Sequence, residues 1–148
     1  MKITFAKSKS APPNECPIML GELRKYLSGV DDTWNYITPV DFEKADKKDF
    51  FILDVRKPKD FRKCHIAGAK NIFWLNLLKP ENIAKLPTDK KILIVCYVGH
   101  TASQALVVLR LLGYDVVVLK FGMGKYPAAG VPIAGWTDYG FKVVRERG

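Results

Sequence analysis

The feature that most constrains this fold is a continuous apolar run that leads into a cysteine, a short loop and a helix, between Lys91 and Gly113. Residues Ile92 to Val95 show no polar alternation, which is typical of a central strand buried on both faces of a parallel sheet. Cys96 follows where this strand is expected to end. Gly113 is suited to the left-handed conformation that closes a helix. The expected helix carries apolar residues at helical spacing, namely Ala102, Ala105, Leu106, Leu109 and Leu112.

This order places Cys96 next to unpaired backbone amides. The N–H groups of a short loop and of a first helical turn point toward whatever lies at the carboxyl end of the strand. Such amides stabilise a thiolate, the extra sulfur of a persulfide or the oxyanions of a sulfur donor. Gly99 allows the loop to turn tightly around the sulfur. The alternative is that Cys96 is a small buried hydrophobe, as free cysteines commonly are, and this stretch alone leaves both interpretations open.

The length and the cysteine pattern indicate one unit that buries a core without disulfides or metal. The 148 residues contain three cysteines, Cys16, Cys64 and Cys96, with no Cys-x-x-Cys spacing. This pattern indicates neither a zinc site nor a disulfide framework, and it favours a reducing compartment. No apolar run approaches the ~20 residues of a membrane span, and the N-terminus lacks the apolar core of a signal peptide. We therefore expect a cytoplasmic protein with no membrane partner, the alternative being an exported form whose signal was removed before numbering.

The net charge of +9 arises from 24 basic and 15 acidic residues, which raises the question of a nucleic-acid partner. The lysines are scattered over every segment, and arginines do not interleave with aromatic residues as they do in RNA-binding proteins. We therefore expect a solvated basic surface and no nucleic-acid partner. The positive potential would also attract anionic donors or an acidic partner protein.

The sequence of the first half of the chain predicts an arm, two helices and two strands. Residues 1–16 resemble a loose polar arm, and a helix is expected over 17–28, with Leu20, Leu23 and Leu27 on its packing face. Residues 36–37 resemble a short strand, after which Thr38 caps a helix that begins at Pro39 and turns Phe42 inward. Residues 50–55 resemble a second buried strand.

Asp54 and Arg56 lie at the end of that second strand, and they admit two interpretations. Either they form an ion pair that ties neighbouring loops together, which we favour, or they take part directly in chemistry. His65 presents the same choice between stabilising a turn, which we favour, and serving as a base for a cysteine.

The remaining segments complete an α/β pattern. We expect a helical turn at 58–63, a short strand at 71–73, a helical segment over 76–86 interrupted by Pro80, and a buried strand at 116–119. A loop with Gly122 and Gly124 follows, and residues 128–132 are expected to close the core. Strands that alternate with helices indicate a mainly parallel sheet with helices on both faces, whose ligands bind at the carboxyl ends of the strands.

Several segments together resemble a single-domain rhodanese over about residues 36–133. They are Leu53-Asp-Val-Arg56, His65-Ile-Ala-Gly-Ala-Lys-Asn-Ile72, Cys96-Tyr-Val-Gly-His-Thr-Ala-Ser103, Leu112-Gly-Tyr114 and Phe121-Gly-Met-Gly-Lys-Tyr126. The resemblance implies a rhodanese-like fold, with an N-terminal arm and helix at 1–30 and the rhodanese-like domain at 31–148. It also implies that Cys96 carries a sulfane sulfur as a persulfide, without a cofactor. The loop that binds the sulfur would comprise Tyr97, Val98, Gly99, His100, Thr101 and Ala102, supported by Asp54 and Arg56.

The loop departs from the resemblance in its charge. Many active rhodaneses carry arginine within this loop, whereas Tyr97 and Thr101 occupy those places here. If Tyr97 and Val98 face the mouth of the site, they make it more apolar. We therefore expect a persulfide to be a better donor than thiosulfate, and a thiol or a protein sulfur group to be the acceptor.

Two other functions compete with sulfur transfer. A related phosphatase or arsenate reductase needs a loop one residue longer that ends in an arginine clamping the oxyanion, and Ala102 stands at that place. A non-catalytic rhodanese-like binding module is the other alternative. Such modules have lost the cysteine, and Cys96 is present.

Overall fold

The computed structural model describes residues 17–124 and 134–146, which form a parallel sheet with helices on both faces. The helices are α1 (Pro17–Ser28), α2 (Pro39–Lys44), α3 (Pro58–Lys63), α4 (Pro80–Ile83) and α5 (His100–Leu111). The strands are β1 (Tyr36–Ile37), β2 (Phe50–Asp54), β3 (Lys70–Asn71), β4 (Lys91–Val95) and β5 (Val116–Leu119). Two short 3₁₀ turns, Lys47–Asp49 and Trp74–Asn76, complete the regular elements of these ranges.

The sheet has the order β1-β5-β4-β2-β3, and every pairing in it is parallel. β4 lies at its centre, where Ile92 to Val95 are fully buried as expected for a strand covered on both faces. Alternate residues of this strand enter two different apolar clusters. Ile92 and Ile94 pack on the face that α5 covers, whereas Leu93 and Val95 pack on the face that α2 and α3 cover. Because successive side chains of a strand point to opposite faces, one uninterrupted apolar run contributes to two cores.

The site lies at the point where the connections diverge from the middle of the sheet. β2 and β4 are neighbours, with Asp54 paired to Val95 at their carboxyl ends. The chain leaves β2 through α3 toward the edge strand β3, and it leaves β4 through α5 toward β5 on the other side. A crevice forms at such a switch point because the two connections cover opposite faces of the sheet. The last residue of β2 and Cys96, which follows β4, meet at this crevice.

Local sequence signals account for the start of α2 as predicted. The Thr38 side chain accepts a hydrogen bond from the Asp41 amide, and Pro39 occupies the first turn. Phe42 is completely buried beneath this helix. The cap and the inward aromatic residue together fix the helix against the sheet.

Two leucines at helix ends were predicted wrongly as packing residues. Leu27 is 67% exposed, and Tyr26 packs against the core in its place. α1 packs against α5, and none of the α1 residues is fully buried, so its leucines contribute less to the core than predicted. Leu112 lies one residue beyond α5, at its C-cap, and is 56% exposed.

Two element boundaries also differ from the prediction. The third strand is Lys70–Asn71, so it begins one residue earlier and ends two residues earlier than predicted, because the chain turns into the 3₁₀ turn at Trp74. Pro80 begins α4 and does not interrupt a helix, since the missing proline N–H is not needed in a first turn. The predictions for the arm at 1–16 and for residues 128–132 lie outside the described residues. Within the described ranges, no helix is long and apolar enough to cross a membrane.

The burial of α5 gives a matched stability test. Leu109 is fully buried in the core, so Leu109→Ala should lower the free energy of unfolding by about 2–5 kcal/mol. Leu112→Ala removes the same atoms from an exposed position and should change it by less than about 0.5 kcal/mol. Urea unfolding followed by circular dichroism measures both. Equal losses would show that the two leucines contribute alike to the core.

Candidate active site

Cys96 lies directly after the central strand, at the base of the loop that leads into α5. The residue is 1% exposed, and its Sγ accepts a hydrogen bond from the Gly99 amide at 3.1 Å. The first-turn amides of α5 have no acceptor within the helix, so they add positive partial charge on the same side. The sulfur therefore has one backbone donor at hydrogen-bond distance and lies close to the start of α5.

Gly99 gives the loop its shape. Its φ of 100° is in the left-handed region, which a residue with a Cβ adopts only under strain. The Gly99 carbonyl accepts hydrogen bonds from the Ser103 amide at 2.9 Å and from the Ser103 hydroxyl at 2.8 Å. Ser103 Oγ lies 2.8 Å from the hydroxyl of Tyr36 on the edge strand β1. One turn of α5 therefore holds the far side of the loop.

The other predicted loop residues differ in their exposure. His100 is exposed, and Val98 and Thr101 are half-buried. Ala102 is fully buried in the core under the loop. An oxyanion-clamping arginine at position 102 would have to displace this packing, which weighs against the phosphatase alternative.

Asp54 and Arg56 form the buried ion pair that the sequence predicted. Arg56 Nη2 lies 2.7 Å from Asp54 Oδ2, and its Nε lies 3.0 Å from both carboxylate oxygens. The guanidinium also donates to the Cys64 carbonyl at 2.7 Å. Burial favours the neutral form of Arg56, but its contacts with Asp54 outweigh that effect and raise its pKa. The pair therefore stays charged and ties the end of β2 to the segment after α3.

The side chain of Tyr97 has a partner that the sequence analysis missed. Its hydroxyl donates to Asp60 Oδ2 of α3 at 2.6 Å, and the Arg56 guanidinium lies 5.8 Å from the ring centre. Burial and the bond to Asp60 raise the pKa of Tyr97 to about 12, so the phenol is neutral at physiological pH. The same bond lowers the pKa of Asp60, which is therefore ionised. The hydroxyl of Tyr97 thus binds α3, and the expectation that the ring makes the mouth more apolar stays a prediction.

The loop that follows β5 contacts Cys96 from the other side. The Met123 amide donates to the Cys96 carbonyl at 2.9 Å, and the Gly124 amide donates to the Tyr97 carbonyl at 3.0 Å. A Cβ on Gly122 would collide with the Cys96 carbonyl, so the approach requires glycine here. The pair of glycines at 122 and 124 was the signal in the sequence for this contact.

The contacts of His65 are with α3 and the C-terminal segment, and its predicted role in stabilising a turn stays a prediction. Its ring is stacked on Phe61 at 3.8 Å, and Nδ1 lies 2.9 Å from the Phe61 carbonyl oxygen. Its backbone pairs with Val144 of the C-terminal segment. These contacts occupy the ring within α3 and its neighbours. Among the described residues, no group of three or more His, Cys, Asp or Glu side chains could hold a metal ion.

The family model of the rhodanese-like domain matches residues 38–129, which is more than half of the chain. The chain belongs to the rhodanese-like domain family. A rhodanese-related protein from Thermoplasma volcanium has a similar crystal structure, with a TM-score of 0.63 and 28% sequence identity. That match covers 75% of this chain and 98% of the other.

Relatives of this rhodanese-like domain include an uncharacterized protein and a sulfurtransferase. The uncharacterized protein YibN of Escherichia coli K12 is 31% identical over 104 residues, which are 68% of this chain and 65% of YibN. The thiosulfate sulfurtransferase GlpE of Stutzerimonas stutzeri is 32% identical over 66 residues, covering 45% of this chain and 59% of GlpE. The chain therefore spans less than two thirds of the length of either relative.

The buried ion pair generates a stability prediction. Asp54→Ala leaves the Arg56 guanidinium buried without its carboxylate, so the free energy of unfolding should fall by about 3–5 kcal/mol. Asp115 is the matched control, because it also pairs with an arginine but is exposed, and Asp115→Ala should cost less than about 1 kcal/mol. Chemical unfolding and sulfur-transfer assays of both variants provide the measurements. An Asp54→Ala protein with full stability and no turnover would instead assign Asp54 to the chemistry.

Proposed function

We propose that this protein is a sulfurtransferase that carries a sulfane sulfur as a persulfide on Cys96. The observation that carries the proposal is the Gly99 amide, which donates to Cys96 Sγ inside a loop that opens a helix. Backbone donors of this kind favour a thiolate, and they favour the charge of a terminal persulfide sulfur equally well. The family and the similarity to the sulfurtransferase GlpE agree with this chemistry.

The proposed cycle has two nucleophilic steps and no net change of redox state. The Cys96 thiolate attacks the sulfane sulfur of the donor, whose S–S bond breaks and whose remaining part leaves with the electron pair, as sulfite if the donor is thiosulfate. An acceptor thiolate then attacks the outer sulfur of the persulfide. That S–S bond breaks, its electrons return to Cys96, and the acceptor leaves as a new persulfide. The loop amides stabilise the anionic sulfur in each state.

The charge of the loop leads us to propose a persulfide as the preferred donor. Thiosulfate carries two negative charges, and the loop from Cys96 to Ala102 contains neither lysine nor arginine. A hydrogen bond to a charged group contributes about 1.5–3 kcal/mol, so the lack of one side-chain cation corresponds to a loss of ~10-fold to ~100-fold. A low-molecular-weight persulfide or a protein persulfide carries less charge and loses less.

The first functional prediction is that Cys96 alone accepts the sulfur. After incubation with a persulfide donor, intact-mass spectrometry should show one added sulfur atom on the wild type and on Cys64→Ser, and none on Cys96→Ser. Cys64 is the matched control, because it is a half-buried thiol on a different element. Sulfur loading that survives in Cys96→Ser would remove the basis of the proposal. An intramolecular disulfide between the two cysteines after oxidation would assign a resolving role to Cys64.

The second functional prediction concerns the donor. The wild type should show a higher kcat/KM with a low-molecular-weight persulfide than with thiosulfate, and Thr101→Arg should raise the thiosulfate value by ~10-fold to ~100-fold. Gln104→Arg adds the same charge on the exposed side of α5 and should have a much smaller effect. A thiosulfate preference in the wild type that Thr101→Arg leaves unchanged would mean that the backbone amides supply all the charge that the donor requires.

A further inference from the structure

The hydrogen bond between Tyr97 and Asp60 joins two elements on opposite faces of the sheet. Tyr97 directly follows Cys96, and Asp60 lies in α3, 37 residues earlier in the chain. The α3 residue Phe61 belongs to one apolar cluster, whereas Cys96 and the α5 residue Ala102 belong to the other. The bond therefore links the loop next to Cys96 to the helix that covers the other face of the sheet.

The two oxygens of the Asp60 carboxylate have separate partners. Oδ2 accepts the bond from Tyr97, and Oδ1 lies 3.3 Å from Lys63 Nζ one turn later on α3. Lys63 is largely exposed, so water readily replaces it as a partner of the carboxylate. The Tyr97 bond is shorter and half-buried, so it provides the firmer constraint on the loop.

The ring of Tyr97 also lies close to a buried cation. The Arg56 guanidinium lies 5.8 Å from the ring centre and is itself held by Asp54 and by the Cys64 carbonyl. A cation near the face of a tyrosine ring is favourable, although the contribution is small at partly exposed sites. The buried ion pair thus lies beside the ring whose hydroxyl binds α3.

The other contacts that hold the loop are hydrogen bonds to its backbone carbonyls. The amides of Met123 and Gly124 bind the carbonyls of Cys96 and Tyr97, and Ser103 binds the Gly99 carbonyl. Tyr97 therefore lies in the part of the loop next to the reacting sulfur, and its side chain ties this part to α3. Catalytic donors must be held within a fraction of an ångström of their target, so a tether at this position bears directly on catalysis.

We infer that Tyr97 is a positioning residue for sulfur transfer, which acts through its hydrogen bond to Asp60 to hold the loop amides around the Cys96 sulfur. The inference rests on the proposed function and adds α3 to the parts of the chain that the site requires. It also gives the first loop position a role, because Tyr97 ties the loop to α3.

The test is a double-mutant cycle with a conservative variant. Tyr97→Phe removes the donor oxygen and Asp60→Ala removes the acceptor, and each should lower kcat for transfer from a persulfide donor by about tenfold. KM should change little, because the tether is not a donor contact. The double variant should be no slower than either single variant, since one bond is lost in all three. Asp60→Asn retains an acceptor oxygen and should keep most of the activity.

A second measurement is independent of sulfur transfer. The rate at which iodoacetamide alkylates Cys96 reports how well the amides stabilise its thiolate. This rate should fall in Tyr97→Phe, and its pH profile should move to higher pH. Tyr139→Phe removes a hydroxyl from an exposed ring elsewhere and should match the wild type. The double variant Cys16→Ser/Cys64→Ser is used as the background, so that the signal comes from Cys96 alone.

The outcomes separate this inference from the proposed function. Wild-type kcat and alkylation in Tyr97→Phe would overturn the inference, as would additive effects in the cycle or an Asp60→Asn variant as impaired as Asp60→Ala. A drop in unfolding temperature to near the assay temperature would overturn it too, because global instability would then explain the loss. Slower alkylation of Tyr97→Phe, in a protein whose wild type accepts no sulfur, would support the tether and refute the sulfurtransferase proposal.

Discussion

The parallel pairing of β2 with β4 is the constraint on which the rest of the site depends. The register places Asp54 opposite Val95, so the residues that follow the two strands emerge side by side. The Val55 amide continues the ladder by donating to the Val95 carbonyl at 2.9 Å, and this bond keeps the two exits together. The Arg56 guanidinium lies 5.8 Å from the centre of the Tyr97 ring because of this register, although the two residues are far apart in the chain. A slip of one residue in either strand would turn the side chains of that strand to the wrong face of the sheet.

Burial on both faces explains why the exits of these strands are rigid. β4 alternates its side chains between two cores, so neither face can shift without opening a cavity. Loops that leave such strands therefore begin at fixed positions. The Asp54–Arg56 pair also fixes the segment after α3, since the guanidinium binds both the end of β2 and the Cys64 carbonyl. Asn71 adds to it by donating from one amide nitrogen to the Asp54 and Arg56 carbonyls, each at 2.9 Å.

The sequence was sufficient to predict features that depend on local pattern or on several matched segments. The apolar run gave the central strand, Thr38 and Pro39 gave the start of α2, and the aspartate and arginine at the end of β2 gave the ion pair. The sequence analysis failed for features that depend on contacts between segments far apart in the chain. Tyr97 and Asp60 belong to segments that meet only after folding, and nothing in the spacing of the two residues marks them as partners. Leu27 and Leu112 fit a helical pattern, but each lies at a helix end beyond the reach of the neighbouring layer.

Electrostatics at the site operate at short range, through groups whose charge is fixed by backbone geometry. The Gly99 amide and the first turn of α5 present partial positive charges that cannot be titrated. Beside this loop, the contacts with Asp54 raise the pKa of Arg56, burial and the bond to Asp60 raise the pKa of Tyr97, and the bond from Tyr97 lowers the pKa of Asp60. Arg56 is held charged and Tyr97 neutral at physiological pH, so these two groups do not exchange protons during a reaction there. Amides can serve an anionic sulfur only if the peptide planes keep their direction, because a backbone dipole loses much of its effect when it rotates away. A site built from amides therefore depends on the groups that fix the loop. In the proposed function, Gly99, Gly122 and the Tyr97–Asp60 bond are needed in addition to Cys96.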